Sequence, residues 1–187
     1  LNLPPKEEWF WHNEVVEFHS HPIHQTNFDG VAESIYDTGE GYAKNYSNHI
    51  NVSIQAPFVA NIDESSTLSI RLVSSHGFLH ELEIDRNGSN IITESWSGTQ
   101  LKQYTHQVAS NELNETEELS IRGGTTSNDR YALAVAQIRH PRIFDFDGAS
   151  YFPFELTSNN TDQYVEIDNF NSIGGTPILY DLTNHLR

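Results

Sequence analysis

The sequence has 187 residues, with 10 Lys and Arg against 26 Asp and Glu, a net charge of −16, and neither Cys nor Met. A chain of this size can bury a core without staples, and the missing Cys excludes disulfides, Cys-ligated zinc, iron–sulfur clusters and a thiol nucleophile within these residues. The negative balance repels phosphate backbones and anionic lipid, and no apolar run reaches the roughly 18 residues of a spanning helix, so neither nucleic acid nor membrane insertion is expected.

The chain begins without an initiator Met and without a basic stretch leading into an apolar one, so it is read as an internal piece of a longer polypeptide lacking a signal peptide. Residues 1–46 form an aromatic-rich arm around Trp9, Phe10 and Trp11. His12, His19, His21 and His24 follow. On a strand, His19 and His21 would share a face, as some metal sites need. No carboxylate at a known ligand spacing completes the set, and a polar loop ending at Pro22 accounts for it. No metal is expected there.

Residues 47–146 carry the regular strands of a sandwich. Apolar and polar residues alternate in Thr67–Leu72, His80–Asp85 and Glu118–Arg122, giving each segment one wet and one buried face. Turn signals separate them: Ser75-His76-Gly77, Gly123-Gly124, and above all Arg86-Asn87-Gly88-Ser89, where Asn-Gly supplies the positive φ angles of a type I′ hairpin. The Ala-rich run Tyr131–Ile138 is read as a strand buried on both faces, because no helix caps frame it. Pro141 then places its surroundings at an edge or a bend. His80-Glu81 is no zinc-protease motif, since Ile84 stands where the second His belongs.

Residues 147–187 give two or three further strands, or a small β-subdomain. Asp147-Gly148 marks a hairpin between Ile143–Phe146 and Ser150–Leu156, Tyr164–Asp168 alternates, and Pro177–Thr183 closes the series. Asp145, Asp147, Asp162, Asp168, Asn169 and Asn171 raise calcium as an alternative. Their spacing matches no calcium loop, and turn chemistry explains Asp-Gly, so no cofactor is expected. Sequons at Asn45, Asn51, Asn87, Asn114 and Asn159 follow from an Asn-, Ser- and Thr-rich composition. No nucleophile elbow, P-loop or dinucleotide fingerprint is present. Trp9, Phe10, Trp11 and Trp96 are either a sugar-stacking platform or core and seam plugs.

Several segments together resemble a known arrangement. Ser34-Ile35-Tyr36-Asp37-Thr38-Gly39-Glu40-Gly41-Tyr42 is similar to the Asp…Gly-Glu-Gly-aromatic element ahead of the protease domain in PorU-type proteins. These are gingipain-like cysteine peptidases, sortases of the type IX secretion system of Bacteroidetes. Arg71–His76 and His80–Gly88 look like the strand pair that follows in that family, Asp129–Arg142 like its Asp-x-x-Tyr…Pro-Arg stretch, and Tyr180-Asp181-Leu182-Thr183 like its closing strand. Ala43, Lys44, Ala134 and Tyr180 depart from the usual residues. The family's catalytic Cys and His lie on a separate caspase-like domain, and neither is carried over.

The fold expected is an all-β, antiparallel jelly-roll-like sandwich with appended C-terminal strands. The resemblance implies a non-catalytic accessory region before a protease domain, at the outer membrane or cell surface, docking on that domain or on secretion-system proteins or cargo. Trp9, Phe10, Trp11, Asp37, Glu40, Tyr42 and Trp96 are the expected contact residues, since apolar aromatics on an acidic chain gain by leaving water. The alternative is a carbohydrate-binding module of a secreted bacterial enzyme.

Overall fold

Alternating segments pair into strands throughout the central region. The computed structural model describes residues 3–23, 41–75, 79–125, 129–157 and 162–183. Ten strands lie among them: β1 (Trp9–Glu17), β2 (His21–Ile23), β3 (Gly41–Ala43), β4 (His49–Gln55), β5 (Ser65–Ser74), β6 (Leu79–Arg86), β7 (Ser89–Ser97), β8 (Leu101–Ala109), β9 (Thr116–Arg122) and β10 (Tyr131–Ile143). A 3-10 turn spans Ser110–Glu112. Among the described residues no helix is long and apolar enough to cross a membrane.

The pairing is nested about one hairpin tip. Asn87 and Gly88 have φ of 49° and 81°, the left-handed pair that a type I′ turn requires, and they join β6 to β7. Outward from that tip β5 pairs with β8, β4 with β9 and β1 with β10, all antiparallel. Rolling this long double ribbon sets β10 beside β5 and β9 beside β6. Two four-stranded sheets result, β1-β10-β5-β8 and β4-β9-β6-β7, which is jelly-roll topology. β2 and β3 form a separate small pair.

The tip is fastened to β9. Glu117 is fully buried and accepts hydrogen bonds from Arg86, from the Asn87 side chain at 2.8 Å and from the Asn114 backbone at 2.7 Å. Between the sheets lie Ile50, Ile54, Leu68, Ile70, Leu72, Leu82, Ile84, Leu119, Ile121, Leu133 and Ile138, each at most 1% exposed. A fully buried aliphatic side chain contributes about 1.5–3 kcal/mol.

The run Tyr131–Ile138 is a strand, as expected, and a bulge at Ala134 shifts its register against β5. Before the bulge Leu133 faces the core. After it Ala136 and Ile138 do. Ala132 on the opposite face is covered by Ala43 and Val73. Pro141 lies past the last β5 pair, Thr67 with Arg139. Its carbonyl accepts from the Ala60 N–H at 2.9 Å. The proline nitrogen therefore points the same way, away from β1, and the β1 ladder loses no donor.

Two regions differ from expectation. Residues 9–17, grouped with the N-terminal arm, are the outer strand of a main sheet. The described part of residues 147–187 holds no extended strand; its isolated bridges include Glu155 with Trp11, Tyr164 with Lys6 and Asp168 with Asp145. Phe152, Phe154, Leu156, Val165 and Phe170 instead pack around buried Phe10, Phe144 and Phe146. Side-chain burial organises this stretch where ladder bonding does not. Phe10→Ala should therefore destabilise the chain by about 3–5 kcal/mol in urea unfolding, and should make residues 147–183 sensitive to protease before the rest.

Candidate contact surface

The outer faces of the two sheets carry different chemistry. Along β4, β9 and β6 the outward residues are mostly polar: Asn51, Ser53 and Gln55, then Glu118, Ser120 and Arg122, then Glu81 and Glu83, with exposed Leu79 at the start of β6 the apolar exception. They bond to one another, Ser53 to Glu118 at 2.8 Å, His49 to Ser120 at 3.0 Å and Arg122 to Glu83 at 3.0 Å. This face is satisfied and wet.

The β1–β10 face is not. Phe10 points inward to Phe144 and Val16 to the main core, so alternation sends Trp9, Trp11 and Val15 outward. Their register partners on β10 are Ile143, Pro141 and Gln137. The Trp9 and Trp11 rings meet edge to face at 5.2 Å, and the Arg139 guanidinium lies 4.2 Å over Trp11. Arg139 also reaches Glu155 at 3.5 Å. Val15 and Ile143 remain exposed at 44% and 42%. Farther along the chain Ile178, Leu179 and Leu182 are exposed as well.

Of the expected contact residues, Trp9 and Trp11 are half-buried on this face, and Tyr42 is exposed on β3 opposite Pro22. Asp37 and Glu40 lie outside the described residues. Phe10 and Trp96 are corrected to core positions, at 1% and 8% exposure. Both occupy the inward phase of their strands. The Trp96 indole N–H donates to Ser74 Oγ at 3.1 Å, and Lys102 sits 4.5 Å over its ring. Val15, Arg139 and Ile143, which the sequence did not single out, share a face with Trp9 and Trp11 only once β1 is registered on β10.

The His-rich stretch does not converge. His12 turns inward to Glu14 at 2.9 Å, His19 lies 3.2 Å from Glu17, His21 bonds Ser20, and His24 is outside the described residues. Among the described residues no group of three or more His, Asp or Glu is placed to hold a metal ion. Asp145 accepts from the Asp147 N–H at 2.9 Å, which is turn bonding, and from the Asn169 side-chain amide at 2.7 Å, which ties two separate segments together.

Besides the Glu117 network, two further buried polar groupings stand out among the described residues, one at each end of the sandwich. At the β1–β10 end, Arg142 is held between the rings of Phe58 and Phe152, with His12, Glu14 and His140 beside it. Burial pushes His140 down to about 4, so it is neutral at pH 7. The His12 hydrogen bond holds Glu14 below the usual carboxylate range. At the far end His80 bonds Asp129 at 2.7 Å and the Ser75 carbonyl at 2.9 Å. Asp129 also accepts from the Glu81 and Gly124 N–H groups at 3.0 and 2.6 Å. A Cβ on Gly123 or Gly124 would strike this network. Tyr131 and Trp96 pack on the His80 ring at 5.8 and 5.4 Å. His80, Asp129 and Tyr131, from separate segments of the family resemblance, thus meet.

Burial alone would raise the Asp129 carboxyl, but the Glu81 N–H, His80 and the Gly124 N–H outweigh it and hold it below its ordinary value. Its stabilising contribution is therefore complete above the unfolded carboxylate value of about 3.9 and is lost as pH falls through the lower folded value. Asp129→Ala strands three donors and should lower stability by on the order of 3 kcal/mol near neutrality. The deficit against wild type should shrink on acidification, as measured by urea unfolding across acidic pH.

No protein-family model matches the sequence, and no curated protein matches it. Among solved structures, dimeric latent PorU from Porphyromonas gingivalis is similar at a TM-score of 0.52 and 13% identity, over 77% of this chain and 14% of that one. The CBM36-1 domain of a multidomain xylanase from the hindgut metagenome of Trinervitermes trinervoides aligns at 0.38 and 12% identity, over 68% of this chain and 96% of that one. A CBM36 carbohydrate-binding module in complex with calcium and xylotriose aligns at 0.36 and 19%, over 66% and 96%. At these identities the likeness is one of fold. This chain is an antiparallel jelly-roll sandwich of the kind found within a small part of the much longer PorU chain.

Proposed function

We propose that the chain is a non-catalytic accessory domain of a PorU-type cell-surface protease, and that the outer face of β1 and β10 buttresses the protease domain of the same polypeptide. One observation carries the reading. His80, Asp129 and Tyr131, drawn from separate stretches that resemble the PorU type, meet in one buried network of a sandwich similar in fold to PorU.

The face asymmetry supports the docking role. Trp9, Trp11, Val15 and Ile143 put apolar surface outward on one sheet, while the other sheet's outer face is polar apart from Leu79 at one strand end. Aromatic and Arg side chains at the centre of a contact supply most of its binding energy. Secretion-system proteins or cargo are further partners in this reading, and its location is the outer membrane or cell surface.

The test mixes the purified chain with a PorU-type protease domain. Co-elution is expected, and Trp11→Ala with Ile143→Ser should weaken it about tenfold or more, the equivalent of about 1.4 kcal/mol. Unchanged affinity, or no complex at all, contradicts the docking claim. The chain alone should hydrolyse no peptide, and thiol-blockable hydrolysis would overturn the non-catalytic claim. Glycan-array binding abolished by Trp11→Ala would favour the carbohydrate-binding alternative. Trp9 and Trp11 stand at 88° with Arg139 on Trp11, which is not the flat platform sugar stacking uses. Trp96→Ala would report on core packing instead.

A further inference from the structure

His80 is fully buried, and oxygen atoms face both of its ring nitrogens. Nε2 lies 2.9 Å from the Ser75 carbonyl, which can only accept. Nδ1 lies 2.7 Å from Asp129 Oδ1. The other oxygen of that carboxylate already accepts two backbone N–H groups, from Glu81 and Gly124. Those donors favour the ionised carboxylate, which is also only an acceptor. A neutral imidazole carries one N–H and one lone pair. In either tautomer it would set that lone pair against an oxygen atom in a buried site, where an unmade bond is expensive.

We propose that His80 is carried as an imidazolium, and that its two ring protons pin the β5–β6 connection to the β9–β10 connection at one end of the sandwich. The first proton reaches Ser75, just after β5, and the second reaches Asp129, just before β10. Asn48, ahead of β4, extends the fastening by donating to the Gly124 and Asp129 carbonyls at 3.1 and 3.0 Å. Among the described residues, the other groups near the ring are Tyr131 from β10, Trp96 from β7 with Lys102 of β8 over it, and Glu81, whose carboxylate lies beside Gly124. Asp129 is the carboxylate in hydrogen-bond contact with the ring, so the pin is a neutral ion pair in which both ring nitrogens are bonded.

Nitrogen-detected NMR of the intact chain at neutral pH tests this directly. Both His80 ring nitrogens should carry hydrogen, and both protons should be protected from solvent. One bare ring nitrogen overturns the proposal without recourse to any variant. Asp129→Asn removes the negative partner and keeps the shape. In it His80 should lose one ring proton, and the Glu81 and Gly124 amides should exchange about tenfold faster or more, while the Leu119 and Ile121 amides keep their protection. Unchanged exchange at Glu81 and Gly124 in that variant would show that the pair does not act as a pin.

Discussion

A side-chain period of two, kept along eight strands, governs what this molecule can do. It places Ile50, Val52 and Ile54 of β4 against Leu68, Ile70 and Leu72 of β5, and gives each strand one remaining face. The nested pairing about Asn87 and Gly88 then decides which remaining faces lie together. A polar group on the inner face must find its partner inside. Several buried polar groups accordingly sit in networks, Glu117 at the hairpin tip, His80 with Asp129 at one end, and Arg142 with its neighbours at the other.

The same constraint separates solubility from contact. The β4-β9-β6 face gives most of its outward positions to Ser, Asn, Gln and paired charges, which disfavours pairing of that sheet with others. The β1–β10 face spends them on Trp9, Trp11, Val15 and Ile143. Its strand edge is partly covered, because the Trp11 N–H bonds the Glu155 carbonyl at 3.1 Å. What that sheet offers is therefore its face more than its edge. The Phe cluster beneath it fixes β1 from below through Phe10, so that face stands on a rigid base.

The strands were legible wherever one face is wet and the other dry. Thr67–Leu72, His80–Asp85 and Glu118–Arg122 alternate cleanly, and the structure pairs all three. The Asn-Gly hairpin was legible because its backbone demands residues that tolerate positive φ. Tyr164–Asp168 alternates as well, yet forms only two isolated bridges, because Val165 is drawn to the Phe cluster and Lys6 and Asp145 meet the segment singly. Phe10 and Trp96 showed in the sequence only as aromatics. Which of Trp9, Phe10 and Trp11 faces outward depends on the phase of β1 against β10, and that phase is set by residues over a hundred positions away. The His80–Asp129 bond spans 49 positions and has no local signature. In the sequence these residues stand only in separate stretches, and the fold alone brings them together.

Hydrogen–deuterium exchange of the chain, alone and with a PorU-type protease domain, reads the central claim over the whole backbone at once. The account predicts slowed exchange over Trp9–Glu17 and Arg139–Ile143, with His49–Gln55 and Thr116–Arg122 unchanged. Slowing confined to those last two strands, or at none of the four segments, would contradict it.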